Sequence, residues 1–119
     1  MLKNISKALK KGGLFFLDIL NRDSLLCSLK ELDVTEITQD MMIDRVHFDS
    51  PTGRLVNRRT YLRNGKRHDS EFFIRQYNYN ELSALLLEAG FEIKTALGDW
   101  DGNLFSSDSS RLMVIARKK

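Results

Sequence analysis

Asp18 and Asn21 close the most apolar stretch of the chain, Gly12-Gly13-Leu14-Phe15-Phe16-Leu17-Asp18-Ile19-Leu20-Asn21. A short apolar run without alternation, bounded by turn residues, suits a strand buried on both faces, the habit of parallel sheets in α/β proteins. Open α/β sheets bind ligands beyond the carboxyl ends of their strands. Asp18 and Asn21 are therefore the first candidates for ligand contact. They also suit a plainer role: a buried carboxylate needs a partner, and Asn21 can cap the helix that follows. Trp100 sits in a loop rich in glycine and aspartate, where it can stack on a bound molecule or cover a sheet edge. His47 and His68 titrate near neutrality and could act as general bases, but both fall on segments that read as exposed strands. Arg54, Arg58, Arg59, Arg63, Lys66 and Arg67 could hold phosphates. Tyr61 is almost the only aromatic among them and no recognition motif is present, so a solvated hairpin accounts for this cluster better.

Composition narrows the classes. The 119 residues suffice for one domain with a core, and a single domain over 1–119 is expected. The content of 42% hydrophobic and 29% charged residues is that of a soluble globular protein. A net charge of +3 is too small to imply nucleic acid. No apolar run approaches the ~20 residues of a membrane helix, and the first residues lack the apolar core of a signal peptide. The cytoplasm is thus the expected compartment, with no membrane partner. The single Cys27 allows no internal disulfide and no cysteine-based metal site. It reads as a small core or boundary residue.

The elements that must position these groups follow from periodicity. Leu2, Ile5 and Leu9 predict a helix over 2–11, with Gly12 as its left-handed cap. The strand at 14–20 comes next. Asp23 or Ser24 can cap a second helix whose stripe is Leu25, Leu29 and Leu32. Residues 33–40 are ambiguous between a helical turn and irregular chain. Strands follow at 41–48, 54–63 and 66–77. Asn64-Gly65 is the strong signal for a two-residue hairpin. That turn sets Arg63 opposite Lys66, Thr60 opposite Asp69, Arg58 opposite Glu71 and Val56 opposite Phe73. Asn78 and Glu81 form a capping box for a helix whose face is Leu82, Leu85, Leu86 and Ala89, ended by Gly90. A strand from Phe91 to Leu97, loops over 98–103 and 106–110, and a last strand at 111–116 complete the chain.

Four segments carry a family resemblance: Leu9-Lys10-Lys11-Gly12-Gly13-Leu14, Arg75-Gln76-Tyr77-Asn78-Tyr79-Asn80-Glu81-Leu82, Leu86-Leu87-Glu88-Ala89-Gly90-Phe91, and Ser110 through Lys118. In this order and spacing they resemble the C-terminal half of a class I S-adenosylmethionine-dependent methyltransferase. Lys11 stands where the family usually has proline. The resemblance implies an α/β fold: a partial Rossmann-like methyltransferase sheet with an antiparallel β-meander inserted at 41–77. It implies that 14–20 lies beside 111–116, antiparallel to it, with the strand from Phe91 beyond.

The family's glycine-rich loop and ribose-binding carboxylate find no counterpart, so no position is assigned to S-adenosylmethionine and none is expected bound to this chain alone. The acceptor side does find counterparts. It maps to Asn21-Arg22, to the inserted strands and to Asp99-Trp100 as a lid. Arg75 and Tyr77, alternating onto one face of the third inserted strand, would line the acceptor pocket, or serve as an ion-pair partner and a core-edge aromatic. The function implied is the acceptor-binding part of a methyltransferase. Its acceptor, small molecule or macromolecule, is unidentified and its catalytic group unassigned. The alternative is a non-catalytic RNA-binding or subunit-completing module. The expected partner is the missing N-terminal half or a second copy, in the simplest case a homodimer through the edge of 14–20.

Overall fold

The computed structural model describes residues 1–119. In chain order the elements are α1 (Leu2–Ala8), β1 (Leu14–Leu20), α2 (Arg22–Cys27), β2 (Leu32–Ile37), β3 (Asp40–Asp49), β4 (Arg54–Arg63), β5 (Lys66–Arg75), α3 (Tyr79–Glu88), β6 (Phe91–Leu97) and β7 (Arg111–Lys118). They form two compact units, Met1–Cys27 with Tyr77–Lys119, and Ser28–Gln76.

The first unit is a three-stranded sheet of order β1-β7-β6. β7 is central and antiparallel to both neighbours, with Leu17 opposite Val114 and Ala96 opposite the same residue on the other side. The neighbours expected for 14–20 and 111–116 are thus the observed ones. Both-face burial of β1 is not observed. Phe15, Leu17 and Ile19 pack on a core of Leu82, Leu86, Phe91, Leu112, Val114 and Ala116. Leu14, Phe16 and Leu20 point the other way and are 60%, 48% and 46% exposed. The strand has one sheet neighbour, and the helices α1 and α3 contribute to the core on one face only. Both of its faces are apolar in sequence, which hides the alternation that its burial actually has.

The helices are shorter than their stripes suggest. α1 stops at Ala8 rather than residue 11, because Lys118 Nζ donates to the carbonyls of Ser6 and Leu9, the latter at 2.7 Å. The charged donor adds to the Ser6 carbonyl, which already accepts from Leu9 N at 3.3 Å, and engages that of Leu9 at the helix end. Gly12 is left-handed, φ 81°, but it serves the turn in which Gly13 N donates to Lys10 O at 2.8 Å. Of the three caps the sequence offers, Asn21, Asp23 and Ser24, α2 uses Asn21: its Oδ1 accepts from Asp23 N at 3.2 Å, and its carbonyl accepts from Leu25 N at 2.9 Å. It ends at Cys27, which is exposed rather than in the core, and Leu32 already belongs to β2. The capping box of α3 is formed as expected, with Glu81 N donating to Asn78 Oδ1 at 2.8 Å. Leu82 and Leu86 are buried, whereas Leu85 stays partly in solvent.

The second unit is a four-stranded antiparallel sheet of order β2-β3-β4-β5. Asn64 and Gly65 both take positive φ, and all four cross-strand pairs expected from that turn are present. Residues 33–40, ambiguous in sequence, supply β2 and the turn into β3, where Thr38 adopts φ 59°. A β-branched residue in the left-handed region is a rare outlier, so no turn signal marks this hairpin. β5 ends at Arg75, two residues short of Tyr77.

Leu86 is 0% exposed at the centre of the first core. Leu86→Ala is expected to lower unfolding stability by about 2–5 kcal/mol through lost burial and a residual cavity, measured by denaturant titration.

Candidate functional site

One end of the first unit's sheet gathers most of the polar candidates. Here the carboxyl end of β1, the start of β7, the first turn of α3 and the 98–110 loop meet. β1 delivers Asp18 onto its outer face, where it receives Arg111 Nε at 2.7 Å. Asp18 stands opposite Met113 and Arg111 opposite Leu20, so the pair is diagonal across β1 and β7. Both groups are partly buried, which strengthens a charge-assisted bond relative to one fully in water.

Asn21 follows and is 3% exposed. Its Nδ2 donates to the carbonyls of Ser106, Ser107 and Ser109 at 3.3, 3.1 and 2.7 Å. Its Oδ1 starts α2. Both ends of the amide are thus engaged inside the protein, and the helix-start role is the observed one. Arg22 Nη1 reaches Glu81 Oε1 at 2.9 Å, tying the start of α2 to the first turn of α3. Glu81 was legible only as a capping residue, and Arg111 carried no signal beyond its place at the start of the last strand.

The 98–110 loop is held from within. Asp99 Oδ1 accepts from the backbone N of Asp101 and Asn103, and Oδ2 from Asn103 Nδ2 at 2.8 Å. These bonds, the Asn103 side chain foremost, hold the Asp99 carboxyl below the usual aspartate range. Gly98 leaves no room for a side chain: a Cβ there would collide with the Ser109 hydroxyl. Trp100 projects from this loop, 72% exposed, its ring 6.1 Å from that of Phe16 on the outer face of β1.

Arg75 and Tyr77 do not share a strand face as expected. Arg75 ends β5 in the second unit, where its Nη1 donates to the carbonyls of Gln76 and Gly53, the latter at 3.4 Å. Tyr77 belongs to the first unit, in a groove of about 610 Å3 whose walls include Leu2, Leu17, Ile19, Leu82 and Leu85. The strand ends before Tyr77, so alternation no longer governs its direction.

The basic cluster of the second unit is largely neutralised in place. Arg58 pairs with Glu71 at 3.0 Å, Arg67 with Asp69 at 3.0 Å, and Arg59 with both oxygens of Asp44 at 2.7 and 3.3 Å. Arg54 lies 4.1 Å over the Phe73 ring. Asp69 is held below its usual range first by the Thr60 hydroxyl and then by Arg67. Phosphates at Arg58, Arg59 or Arg67 would have to compete with these partners. His47 and His68 are exposed, and His68 lines a groove of about 680 Å3 with Met41, Met42, Tyr61 and Leu62.

No group of three or more His, Cys, Asp or Glu side chains could hold a metal ion. The strand-to-helix connections are Asn21 between β1 and α2, and Gln76 to Asn78 between β5 and α3. Neither contains the glycines that a phosphate- or nucleoside-cradling loop requires, so these residues do not fit S-adenosylmethionine. What the cluster can do is orient a polar ligand. Its carboxylates at Asp18 and Glu81 are each held by a guanidinium, an arrangement suited to recognition rather than to proton abstraction.

Two expectations follow. Asn21→Asp replaces a donor aimed at three carbonyls by a carboxylate. It should cost more than the roughly 1–3 kcal/mol of an unmade buried hydrogen bond and loosen 98–110, read by hydrogen exchange. Asp99 has a folded pKa below its unfolded value, so its ordering of the loop is complete above the ordinary aspartate range and is lost as pH falls through the depressed folded value. The emission of Trp100, the sole tryptophan, should report that transition in acid, and Asp99→Asn should abolish it.

No protein-family model matches the sequence, and no curated protein matches it. Solved structures do match. An S-adenosylmethionine-dependent methyltransferase from Clostridium acetobutylicum superposes with a TM-score of 0.80 at 18% identity, over 98% of this chain and 49% of its own. The CcbJ methyltransferase of Streptomyces caelestis gives 0.80 at 17% identity, over 99% and 51%. The sugar N-methyltransferase KedS8 of Streptoalloteichus gives 0.61 at 14% identity, over 99% and 47%. The chain therefore has, along nearly all its length, a fold shared with S-adenosylmethionine-dependent methyltransferases, and it spans about half the length of those structures.

Proposed function

We propose that this chain is the C-terminal, acceptor-binding part of an S-adenosylmethionine-dependent methyltransferase. The observation that carries the reading is the fold shared with such enzymes over 98% of this chain against 49% of the Clostridium structure. The order of motifs from Lys10 to Arg117 supports reading that half as the C-terminal side. S-adenosylmethionine would supply the methyl group, and the residues that hold it lie outside this chain. The role left to these residues is to orient the acceptor and exclude water, since transfer needs an aligned nucleophile in a dry site. Asp18 with Arg111 and Arg22 with Glu81 offer paired polar groups for hydroxyls or amines of a small acceptor, and Trp100 offers a ring face. KedS8 is a sugar N-methyltransferase, and CalS10, which superposes with a TM-score of 0.60 at 13% identity over 99% of this chain and 49% of its own, is an amino pentose methyltransferase. Amino sugars are accordingly the first acceptor class to screen.

Calorimetry of the 119-residue chain with S-adenosylmethionine should show no stoichiometric binding at micromolar affinity, and such binding would overturn the assignment to the acceptor side. When a polypeptide carrying the glycine-rich half is supplied, methyl transfer should appear. Arg22→Ala should then raise KM for the acceptor while leaving the affinity for the methyl donor unchanged.

A further inference from the structure

Asn64 is the one asparagine of the chain that glycine follows; the others precede isoleucine, arginine, tyrosine, glutamate or leucine. The backbone nitrogen of the next residue can attack an asparagine side-chain amide, and a bulky following side chain hinders that approach. Gly65 has none, and the position its Cβ would take meets no atom within 4 Å. Every residue from Tyr61 to Ile74 is exposed, so water reaches both groups. Arg63 and Lys66 stand opposite each other across the turn. Their positive charges favour the deprotonated form of the amide nitrogen between them.

The same turn is weakly held. Like charges directly opposite are unfavourable in a ladder. Arg63 meets Asp40 only at 4.0 Å in an exposed pair, and Asp40 Oδ1 accepts from Asn64 N at 3.4 Å. Contacts so exposed contribute little, and a loop tip held by them opens locally at small cost. Opening matters because the closed turn, left-handed at both Asn64 and Gly65, fixes the Gly65 nitrogen in the hairpin's geometry rather than against the side chain.

We infer that Asn64 is a site of spontaneous covalent modification, reacting when the turn opens, and that one of its two products releases β5 from β4. Hydroxide takes the proton from Gly65 N. The nitrogen then bonds to Asn64 Cγ, the bond from Cγ to Nδ2 breaks, and ammonia leaves with a proton from water. Water opens the resulting five-membered imide at either carbonyl. One opening gives aspartate; the other gives isoaspartate, in which the chain runs through Cβ and Cγ. Each replaces a neutral amide by a carboxylate and lowers the net charge of +3 by one. Aspartate suits the turn as asparagine does. Isoaspartate adds one carbon to a loop that closes only with both residues left-handed, so the register it sets is lost. The contacts at stake include Thr60–Asp69 at 2.8 Å and Arg58–Glu71 at 3.0 Å. Within the chain β4 is the only strand beside β5. The site lies wholly in the second unit and does not depend on the methyltransferase reading.

Storage of the folded 119-residue chain at mildly alkaline pH tests the inference. The expected change is the mass gain of exchanging one NH2 for OH, placed at Asn64 by peptide mapping before any other asparagine reacts. Denatured chain should gain it faster, since no turn opposes ring closure. An endoproteinase that cuts before aspartate but not before isoaspartate separates the two products. Hydrogen exchange over 66–75 should quicken in the isoaspartate fraction and stay unchanged in the aspartate fraction. Asn64→Gly retains a residue that accepts positive φ and should keep the native circular dichroism while abolishing the early mass gain. Four results each overturn the inference: no gain at Asn64 in the folded chain, an earlier gain at another asparagine, equal rates in folded and denatured chain, or native exchange in the isoaspartate fraction. The wild-type map decides even where the variant does not fold.

Discussion

The pairing of β1 with β7 is the contact on which the rest of the first unit depends. It joins segments far apart in the chain: the Asp18–Arg111 bond spans 93 positions. Closing so long a loop costs entropy that only extensive contact can offset. The seven-residue register supplies it, and its consequences are local. It brings Phe15 to within 5.6 Å of Phe91, ring to ring, and places Phe15, Leu17 and Ile19 over the leucines of α3. It delivers Asn21 to the carbonyls of 106–109, so that one buried amide anchors the loop preceding β7. Even the end of α1 is set by this pairing, because Lys118, at the end of β7, holds the carbonyls of Ser6 and Leu9.

Features governed by local backbone chemistry were legible in the sequence. Asn64-Gly65 demands positive φ at two successive residues, and that demand settles the β4–β5 register down to Val56 opposite Phe73. The Asn78–Glu81 box is equally local. Features decided by distant contacts were not legible. The end of α1 depends on a lysine more than a hundred positions away. The hairpin between β2 and β3 turns on Thr38, whose left-handed backbone contradicts its own preference and is imposed by the ladder on either side. Asp18 and Asn21 were correctly marked as polar groups at a strand end, but their partners could not be named: Arg111 and the serine carbonyls reach them only through β7. Tyr77 was misread for a related reason. Strand periodicity was extended through Gln76, where the chain leaves the sheet and its direction passes to the cap of α3.

Charge is used differently in the two units. In the second, cross-strand arginines and carboxylates neutralise each other on solvated faces. Arg58–Glu71, across β4 and β5, and Arg67–Asp69, within β5, are both well exposed, so each contributes little to stability, and only the first bears on register. Arg59–Asp44 is the exception. Both carboxylate oxygens are engaged, Asp44 is buried, and the guanidinium also lies 5.2 Å from the Phe72 ring. Removing either partner would strand a charge, so this pair fixes the middle of the sheet more firmly than its neighbours do. In the first unit, two partly buried ion pairs join separate elements: β1 to β7 at Asp18–Arg111, and α2 to α3 at Arg22–Glu81.

That placement bears on what the cluster at the end of β1 can recognise. A guanidinium already holding one carboxylate still presents unused N–H donors, and the carboxylate presents unused lone pairs. A neutral ligand with hydroxyls or amines can add to such a pair without breaking it, whereas an anion or a bare cation must compete with the partner already there. The same pairs are fastened to β1, β7 and α3 rather than to the loop alone, and elements hold polar groups in place better than loops do. Trp100, on the loop and largely in solvent, is the adaptable member of the set, and Asp99 restrains it with bonds that are complete at neutral pH. On the proposed acceptor-side reading, a rigid polar floor beside a tethered aromatic ring would suit a small, uncharged or weakly basic polyhydroxyl ligand better than a phosphate-bearing one.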